Sequence, residues 1–273
     1  MTFKQLTARD NPLLKTIRKV TRHPETDDRM VVEGVRVLEE LMAALERSSS
    51  ADLEIEAVVV SEGFGSEPKS PRESRLIDSW QTRHVRLHQV SEDLFASISG
   101  VRTPQGAVAL VRAAHPSLHQ LRLGDNPLLL CALEIQDPGN LGTLIRTAAA
   151  AGATAVLTTQ GTVSARNPKA LRASAGAFFH IPVIENLRTE ELISYCAERE
   201  IRMYQTDALS GVAHTQANLA APCAVMLGNE GSGIDAAMFS GIPAIHIPMA
   251  SGTESLNVAT AGAVILFEAS RQR

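Results

Sequence analysis

The stretch LLLCALEIQDPGNLGTLIRTAAAA, residues 128–151, decides how the C-terminal half is read. Leu128–Glu134 is an apolar run with no alternation, stopped by the polar turn Gln136-Asp-Pro-Gly-Asn140. Leu141–Ala151 then continues in small and apolar residues at a length that suits a helix. An unalternating strand is buried on both faces, as in a parallel sheet covered by helices. The pattern repeats toward the C-terminus. Strands are predicted near Ala155–Thr158, Ile181–Ile184, Ile201–Gln205, Ala224–Leu227 and Ala244–Ile247. Helices are predicted near Pro168–Ala175, Glu190–Glu198 and Ser255–Ser270. Alternating strands and helices predict an α/β domain built on a parallel sheet.

Upstream, Ala113–Pro127 holds two prolines, two histidines and the turn Gly124-Asp-Asn-Pro127, and is read as a linker. Residues 1–112 then form a smaller α/β domain and 128–273 the larger one. In the smaller domain, strands are predicted at Met30–Glu33, Ile55–Ser61, Val85–Val90 and Ala107–Val111, and helices at Val35–Arg47, Ser74–Gln81 and Glu92–Ser97. Glu62–Arg75, rich in Ser, Gly, Pro and charge, is expected to be a surface loop. The first helix opens at Asn11-Pro12, an N-cap followed by proline at the first helical position. Leu13, Leu14, Ile17 and Val20 mark its apolar face, and Lys15, Arg18, Lys19 and Arg22 a basic one. A basic face is either a solvated surface or a contact for a polyanion.

The chain has 273 residues, with 26 Lys and Arg against 30 Asp and Glu, so a uniformly basic nucleic-acid binder is excluded. A local patch is not: Lys4, Arg9, Lys15, Arg18, Lys19 and Arg22 face only Asp10 within the first 24 residues. With one Trp and two Tyr, stacking platforms are too scarce to dominate any nucleic-acid binding. Cys131, Cys196 and Cys223 lie far apart in apolar or helical stretches and read as buried thiols of a reducing compartment. No stretch approaches the roughly 20 apolar residues of a membrane span, and a cytoplasmic protein is expected. G-x-G-x-x-G, Walker, G-x-S-x-G and H-E-x-x-H patterns are all missing, which disfavours dinucleotide, NTPase, hydrolase and metal chemistry.

Three polar loops follow predicted strands: Gln136–Asn140, Gly228-Asn-Glu-Gly-Ser-Gly233 and Met249-Ala-Ser-Gly-Thr-Glu-Ser-Leu-Asn257. In a parallel sheet all three emerge at the carboxyl edge, where open α/β sheets bind ligands. Arg146 sits in a helix otherwise apolar or small, so it is expected to meet a ligand or a partner, Glu230 or Glu254.

The runs Gln136-Asp-Pro-Gly-Asn-Leu-Gly-Thr-Leu-Ile-Arg146, Leu227-Gly-Asn-Glu-Gly-Ser-Gly-Ile234, Ile247-Pro-Met249 and Glu254-Ser-Leu-Asn-Val258 resemble the signature motifs of the SpoU (TrmH) family, S-adenosylmethionine-dependent RNA ribose 2′-O-methyltransferases of the SPOUT superfamily. Asn167-Pro-Lys-Ala-Leu-Arg-Ala-Ser-Ala-Gly176 is similar to the family pattern between them. Asn11-Pro-Leu-Leu-Lys15, Val32-Glu-Gly34 and Thr103-Pro-Gln-Gly-Ala107 resemble the RNA substrate-binding domain that many members carry. Ala259-Thr260-Ala261-Gly262 departs from the common residues at that place, a difference expected to affect helix packing more than chemistry.

This resemblance implies a trefoil knot in the C-terminal domain, a cofactor pocket made by the knotted loops, and a homodimer with the active site at the interface. It assigns catalysis and site geometry to Asn140, Arg146, Glu230, Ser255 and Asn257, and S-adenosylmethionine to Leu227, Gly228, Asn229, Ile247, Met249 and Leu256. Lys15, Arg18, Lys19, Arg22 and Arg172 are the expected RNA contacts. Because a guanidinium stays protonated, Arg146 suits electrostatic stabilisation of an alkoxide better than proton abstraction. Ribosomal RNA is the favoured substrate and transfer RNA the second. The reading from another class is a non-catalytic RNA-binding or ribosome-assembly protein.

Overall fold

The computed structural model describes residues 3–47, 53–66, 70–208, 210–235, 237–251 and 255–273. The chain forms two compact units, Met1–Ala114 with Arg166–Phe179, and His115–Ala165 with His180–Arg273.

The first unit contains β1 (Lys4–Gln5), α1 (Pro12–Arg22), β2 (Arg29–Glu33), α2 (Val35–Arg47), β3 (Leu53–Ser61), α3 (Glu62–Ser66), α4 (Pro71–Thr82), β4 (Leu87–Val90), α5 (Glu92–Ala96) and β5 (Ala107–Ala113). Its mixed sheet runs β1-β4-β3-β5-β2. Both faces are covered. Leu14, Ile17 and Val20 of α1 pack with Val31, Val59 and Leu110, while Leu38 and Leu41 of α2 and Trp80 of α4 pack with Met30, Val32, Val58 and Val60. Odd and even residues of each strand thus enter different cores, which is why these strands read as unbroken apolar runs. Helix α1 starts as its cap signal requires: the Asn11 side chain accepts from the Leu13 N–H, and Pro12 follows.

Part of the loop expected at Glu62–Arg75 is helical. Residues 67–69 of it lie outside the described residues, but α3 occupies its start and α4 begins at Pro71, where the Ser70 hydroxyl caps the Glu73 N–H. The Ser-Pro pair was the start signal of a helix that buries Leu76, Ile77 and Trp80.

The second stretch of chain contains β6 (Leu128–Ala132), α6 (Pro138–Ala150), β7 (Ala155–Thr159), α7 (Pro168–Ala173), β8 (Val183–Leu187), α8 (Thr189–Glu198), β9 (Arg202–Thr206), β10 (Val212–Ala213), β11 (Cys223–Leu227), β12 (Ala244–His246) and α9 (Val258–Gln272). All but α7 belong to the second unit. Its seven strands run β10-β12-β9-β11-β6-β7-β8, and every pairing is parallel. The loops after β6, β9, β11 and β12 therefore share one edge. The three cysteines are buried free thiols, and burial pushes Cys196 up to about 12. No helix among the described residues is long and apolar enough to cross a membrane.

The expected division into 1–112, 113–127 and 128–273 made no provision for two features. Leu118, in the expected linker, is buried in the core of the second unit. Residues 166–179 return to the first unit, where Leu171 joins the cluster around Trp80. Arg166 anchors the return. It is only 2% exposed, and its guanidinium donates to the carbonyl oxygens of Asp28 (3.2 Å), Ala113 (2.9 Å) and Ala114 (2.9 Å).

Truncating Leu171 empties a fully enclosed site, so Leu171→Ala is expected to destabilise the first unit by about 2–5 kcal/mol. Fluorescence of Trp80, the single tryptophan, in a urea titration reads this directly. An unshifted midpoint would mean that the returning segment adds nothing to that core.

Candidate active site

Each of the three loops is shaped by its own local hydrogen bonds. After β6, the Asp137 carboxylate caps α6, accepting from the N–H groups of Gly139 (2.6 Å) and Asn140 (3.0 Å). Asp137-Pro138 is thus a helix start that sets Asn140 in the first turn. After β11, the Asn229 side-chain oxygen accepts from Gly231 N–H (2.8 Å) and Ser232 N–H (3.1 Å), and the Asn229 and Gly233 backbones pair at 3.0 Å in both directions. This turn closes tightly on Gly228: a Cβ there would lie 2.5 Å from the Gly233 carbonyl. After β12, Asn257 caps α9, its side-chain oxygen accepting from Ala259 (2.9 Å) and Thr260 (3.3 Å) N–H groups.

These caps set the orientation of the amides that join the loops. With the Asn257 oxygen turned to its helix, its Nδ2 faces outward and donates to Asn140 Oδ1 (3.0 Å). That leaves Asn140 Nδ2 to donate to Glu230 Oε1 (2.9 Å). The Glu230 carboxylate also accepts from the backbone N–H groups of Gln136 (3.1 Å) and Asp137 (3.2 Å). Burial acts to raise the Glu230 pKa, but the donors from Asn140, Gln136 and Asp137 outweigh it and hold the group below the ordinary carboxylate range. A relay Asn257–Asn140–Glu230 thus ties the ends of β6, β11 and the start of α9 together.

Beside the relay lies a cleft of about 590 Å³. Leu227, Ile247, Leu256 and Ile265 give it an apolar wall, and the Gly228–Gly233 turn and Asn257 a polar one. Every residue that the motifs assigned to the cofactor, Leu227, Gly228, Asn229, Ile247, Met249 and Leu256, lines it, as do Glu230, Ser255 and Asn257. Asn140 joins through its two hydrogen bonds. Thr206, the last residue of β9, and Asp207 just after it also line the cleft and were missed. Their position at the same strand edge was the available signal, but their loop, Asp207-Ala-Leu-Ser-Gly211, matches none of the motif runs.

Arg146 is not enclosed by its helix's apolar surroundings. Helix α6 is apolar only where Leu141, Leu144, Ile145 and Ala148 are buried; Arg146 is exposed on the opposite side and bonds none of the described residues. The proposed partner Glu230 is committed to Asn140, and Glu254, with residues 252 and 253, lies outside the described residues. On α1, Lys15, Lys19 and Arg22 are exposed. Arg18 is held differently, donating to the Arg9 carbonyl (2.9 Å) and the Ser97 hydroxyl (3.2 Å). Arg172 is half-buried and stands 3.6 Å from the carboxylate of Glu33, itself 3% exposed, so it is a structural ion pair rather than an open RNA contact. Gly262 accounts for a small residue opening α9: a Cβ would lie 2.5 Å from a Leu144 methyl and 2.7 Å from a Leu227 methyl, and both side chains would have to move for the helix to seat against α6.

The lowered pKa of Glu230 has a signed consequence. A carboxylate depressed by folding stabilises the fold above its unfolded pKa of about 4.3 and loses that contribution as pH falls through the folded value. Glu230→Gln is therefore expected to be less stable than wild type at pH 7, by on the order of 1 kcal/mol, with the gap closing below about pH 4. Urea midpoints between pH 3 and 7 test this; a gap independent of pH would remove the carboxylate's charge from the account.

Comparison with known proteins agrees with this geometry. The profile of the SpoU rRNA methylase family matches residues 127–267, and that of the MRM3-like substrate-binding domain matches residues 11–109. The chain is 35% identical over 217 residues to the 23S rRNA (guanosine(2553)-2′-O)-methyltransferase RlmP of Bacillus subtilis, covering 78% of this chain and 84% of that protein. It is 31% identical over 248 residues to human mitochondrial rRNA methyltransferase 3, covering 69% and 58% of the two chains. Among solved structures, an RNA 2′-O ribose methyltransferase superposes with a TM-score of 0.80 at 29% identity, and an AdoMet-bound rRNA methyltransferase from Sinorhizobium meliloti with 0.80 at 26%, each over 98% of both chains. With its motif loops joined at one strand edge and its sequence matched over both units, the chain belongs to the SpoU rRNA methylase family.

Proposed function

We propose that this protein transfers a methyl group from S-adenosylmethionine to a ribose 2′-hydroxyl of ribosomal RNA. The observation that carries the reading is the Asn257–Asn140–Glu230 relay, intact at the lip of the cleft. The cleft fits the cofactor in size, since small-molecule sites span about 300–1,000 Å³. It also fits in chemistry, with an apolar wall for a purine ring and a glycine turn whose backbone stands open because Gly228 carries no side chain. The AdoMet-bound relative supports the same assignment. S-adenosylmethionine, when bound, supplies an electrophilic methyl on a cationic sulfur.

The residues of this chain then have two tasks, to orient the hydroxyl and to stabilise charge as it develops. Asn140, locked from both sides, is a fixed point at the reacting edge. Glu230 is ionised and fully engaged by donors, so its part is to hold the turn of residues 228–233 in place. Arg146 supplies positive charge from an exposed position, which the protein alone does not bring to the cleft.

A homodimer would complete the site. Helix α6, which carries Arg146, packs against α9, where Val264 and Phe267 are 37% and 52% exposed. We read the exposed surface of this pair as the contact with a second copy, each copy delivering Arg146 to the interface. The route of the chain supports the knotted threading expected of the family: it leaves β11, pairs β12 on the far side of β9, and returns as α9 against α6.

Radiolabelled methyl transfer to total RNA from a strain lacking this protein is expected to mark a ribose in ribosomal RNA. Arg146→Ala should lower transfer by about 10²–10³-fold while S-adenosylhomocysteine affinity, measured calorimetrically, stays unchanged; joint loss of both would make Arg146 structural. No label on ribosomal RNA together with no cofactor binding would return the chain to a binding role. Independently, Phe267→Asp is expected to convert a dimer to a monomer in sedimentation velocity, and a wild-type chain that sediments as a monomer at high concentration would end the dimer reading.

A further inference from the structure

Within the first unit, a cavity of about 370 Å³ lies where the start of α1 meets the beginnings of β3 and β4. Its wall carries Lys4, Arg29, Arg86 and His88 against a single carboxylate, Glu56. That carboxylate is already matched. Arg112 pairs with it directly, and Arg29 lies 3.9 Å away while forking onto Asp27 at 2.7 and 2.6 Å. Arg112 also reaches Asp28 at 2.7 Å.

Two cations are left over. The Lys4 ammonium bonds none of the described residues, and Arg86 donates its Nε to the backbone carbonyl of Glu56 (2.8 Å), a bond that leaves its charge uncompensated. His88 adds a third signal. Its Nδ1 is buried without a hydrogen-bond partner among the described residues, although a buried polar atom costs free energy unless it is paired. Burial, then Lys4 and Arg86, push the His88 pKa below its ordinary value, so the ring is neutral and can present an N–H to an anion. Asn11 and Pro12 bring the start of an eleven-residue helix to the same wall, and a helix start favours negative charge. Further along α1, Lys15, Lys19 and Arg22 are exposed at helical spacing.

We infer that this cavity seats a backbone phosphate of the RNA substrate, clamped by Lys4 and Arg86 with the His88 ring as a further donor, and that the strand continues over Lys15, Lys19 and Arg22. The inference rests on the reading of the chain as an RNA methyltransferase. It gives the first unit a register point, a seat that fixes where the RNA backbone lies, while the exposed lysines add attraction without position.

The test uses the full chain and unfractionated ribosomal RNA in filter binding across 50–200 mM salt. Lys4→Gln/Arg86→Gln is expected to weaken binding about 10-fold at 100 mM salt and to lower the slope of log K against log salt by about one. S-adenosylhomocysteine affinity and the Trp80 urea midpoint should not move. If the double variant is unstable, Lys4→Gln alone, on the short edge strand β1, should give a smaller change of the same sign. In parallel, inorganic phosphate at 20 mM should shift the His88 ring resonance, identified by its loss in His88→Gln. An unchanged salt slope in the stable variant overturns the inference. A phosphate-sensitive His88 with an unchanged RNA slope makes the cavity a free-anion site and equally overturns it. Wild-type protein that binds cofactor but no ribosomal RNA overturns the substrate reading on which the inference stands.

Discussion

An asparagine side chain has one oxygen and one NH₂, and it cannot present both in the same direction. At Asn257 the oxygen is claimed by two N–H groups at the start of α9, so the nitrogen must point away from the helix. Everything else at the reacting edge follows from that choice. Asn140 must turn its oxygen toward Asn257 and its nitrogen toward Glu230, and this donor helps hold the Glu230 carboxyl in its ionised form. The amides that join three loops distant in sequence take their orientation from one capping side chain, so the orientation of the site is inherited from a helix terminus.

The second constraint is closeness. Gly228 lets the chain fold back on Gly233, and Gly262 lets α9 settle between Leu144 and Leu227. Neither glycine has a positive φ; each is needed because there is no space for a Cβ. The turn that holds Glu230 therefore depends on a position where any side chain would force the backbone apart, and the seat of α9 on one where a side chain would displace Leu144 and Leu227.

Much of this was legible in the sequence, because the second unit announces itself by composition. Unalternating strands, strand-end polar loops and capping residues are local signals, and they located the parallel sheet and three of the loops around the cleft, while the individual cleft residues came from the resemblance of the motif runs to a known family. What was not legible is long-range. Arg146 looked buried because its helix is rich in alanine, yet alanine is as content on an open face as in a core, and only the partner helix α9 decides which face is covered. Arg18 and Arg172 looked like free cations because side-chain acceptors such as Ser97 and Glu33 lie far away in sequence. Thr206 and Asp207 entered the site by their place in the sheet, with no motif of their own.

The return of residues 166–179 to the first unit has a consequence for how that unit can be handled. Its core is assembled from two separate lengths of chain, one closing on the other through Leu171 and through the Arg166 guanidinium on three carbonyls. A graft of the N-terminal stretch onto another methyltransferase would carry a core with a gap where Leu171 sits and three acceptors stripped of their donor. The transferable module is discontinuous, and exchanging substrate recognition between relatives requires moving the short inner segment along with the long outer one.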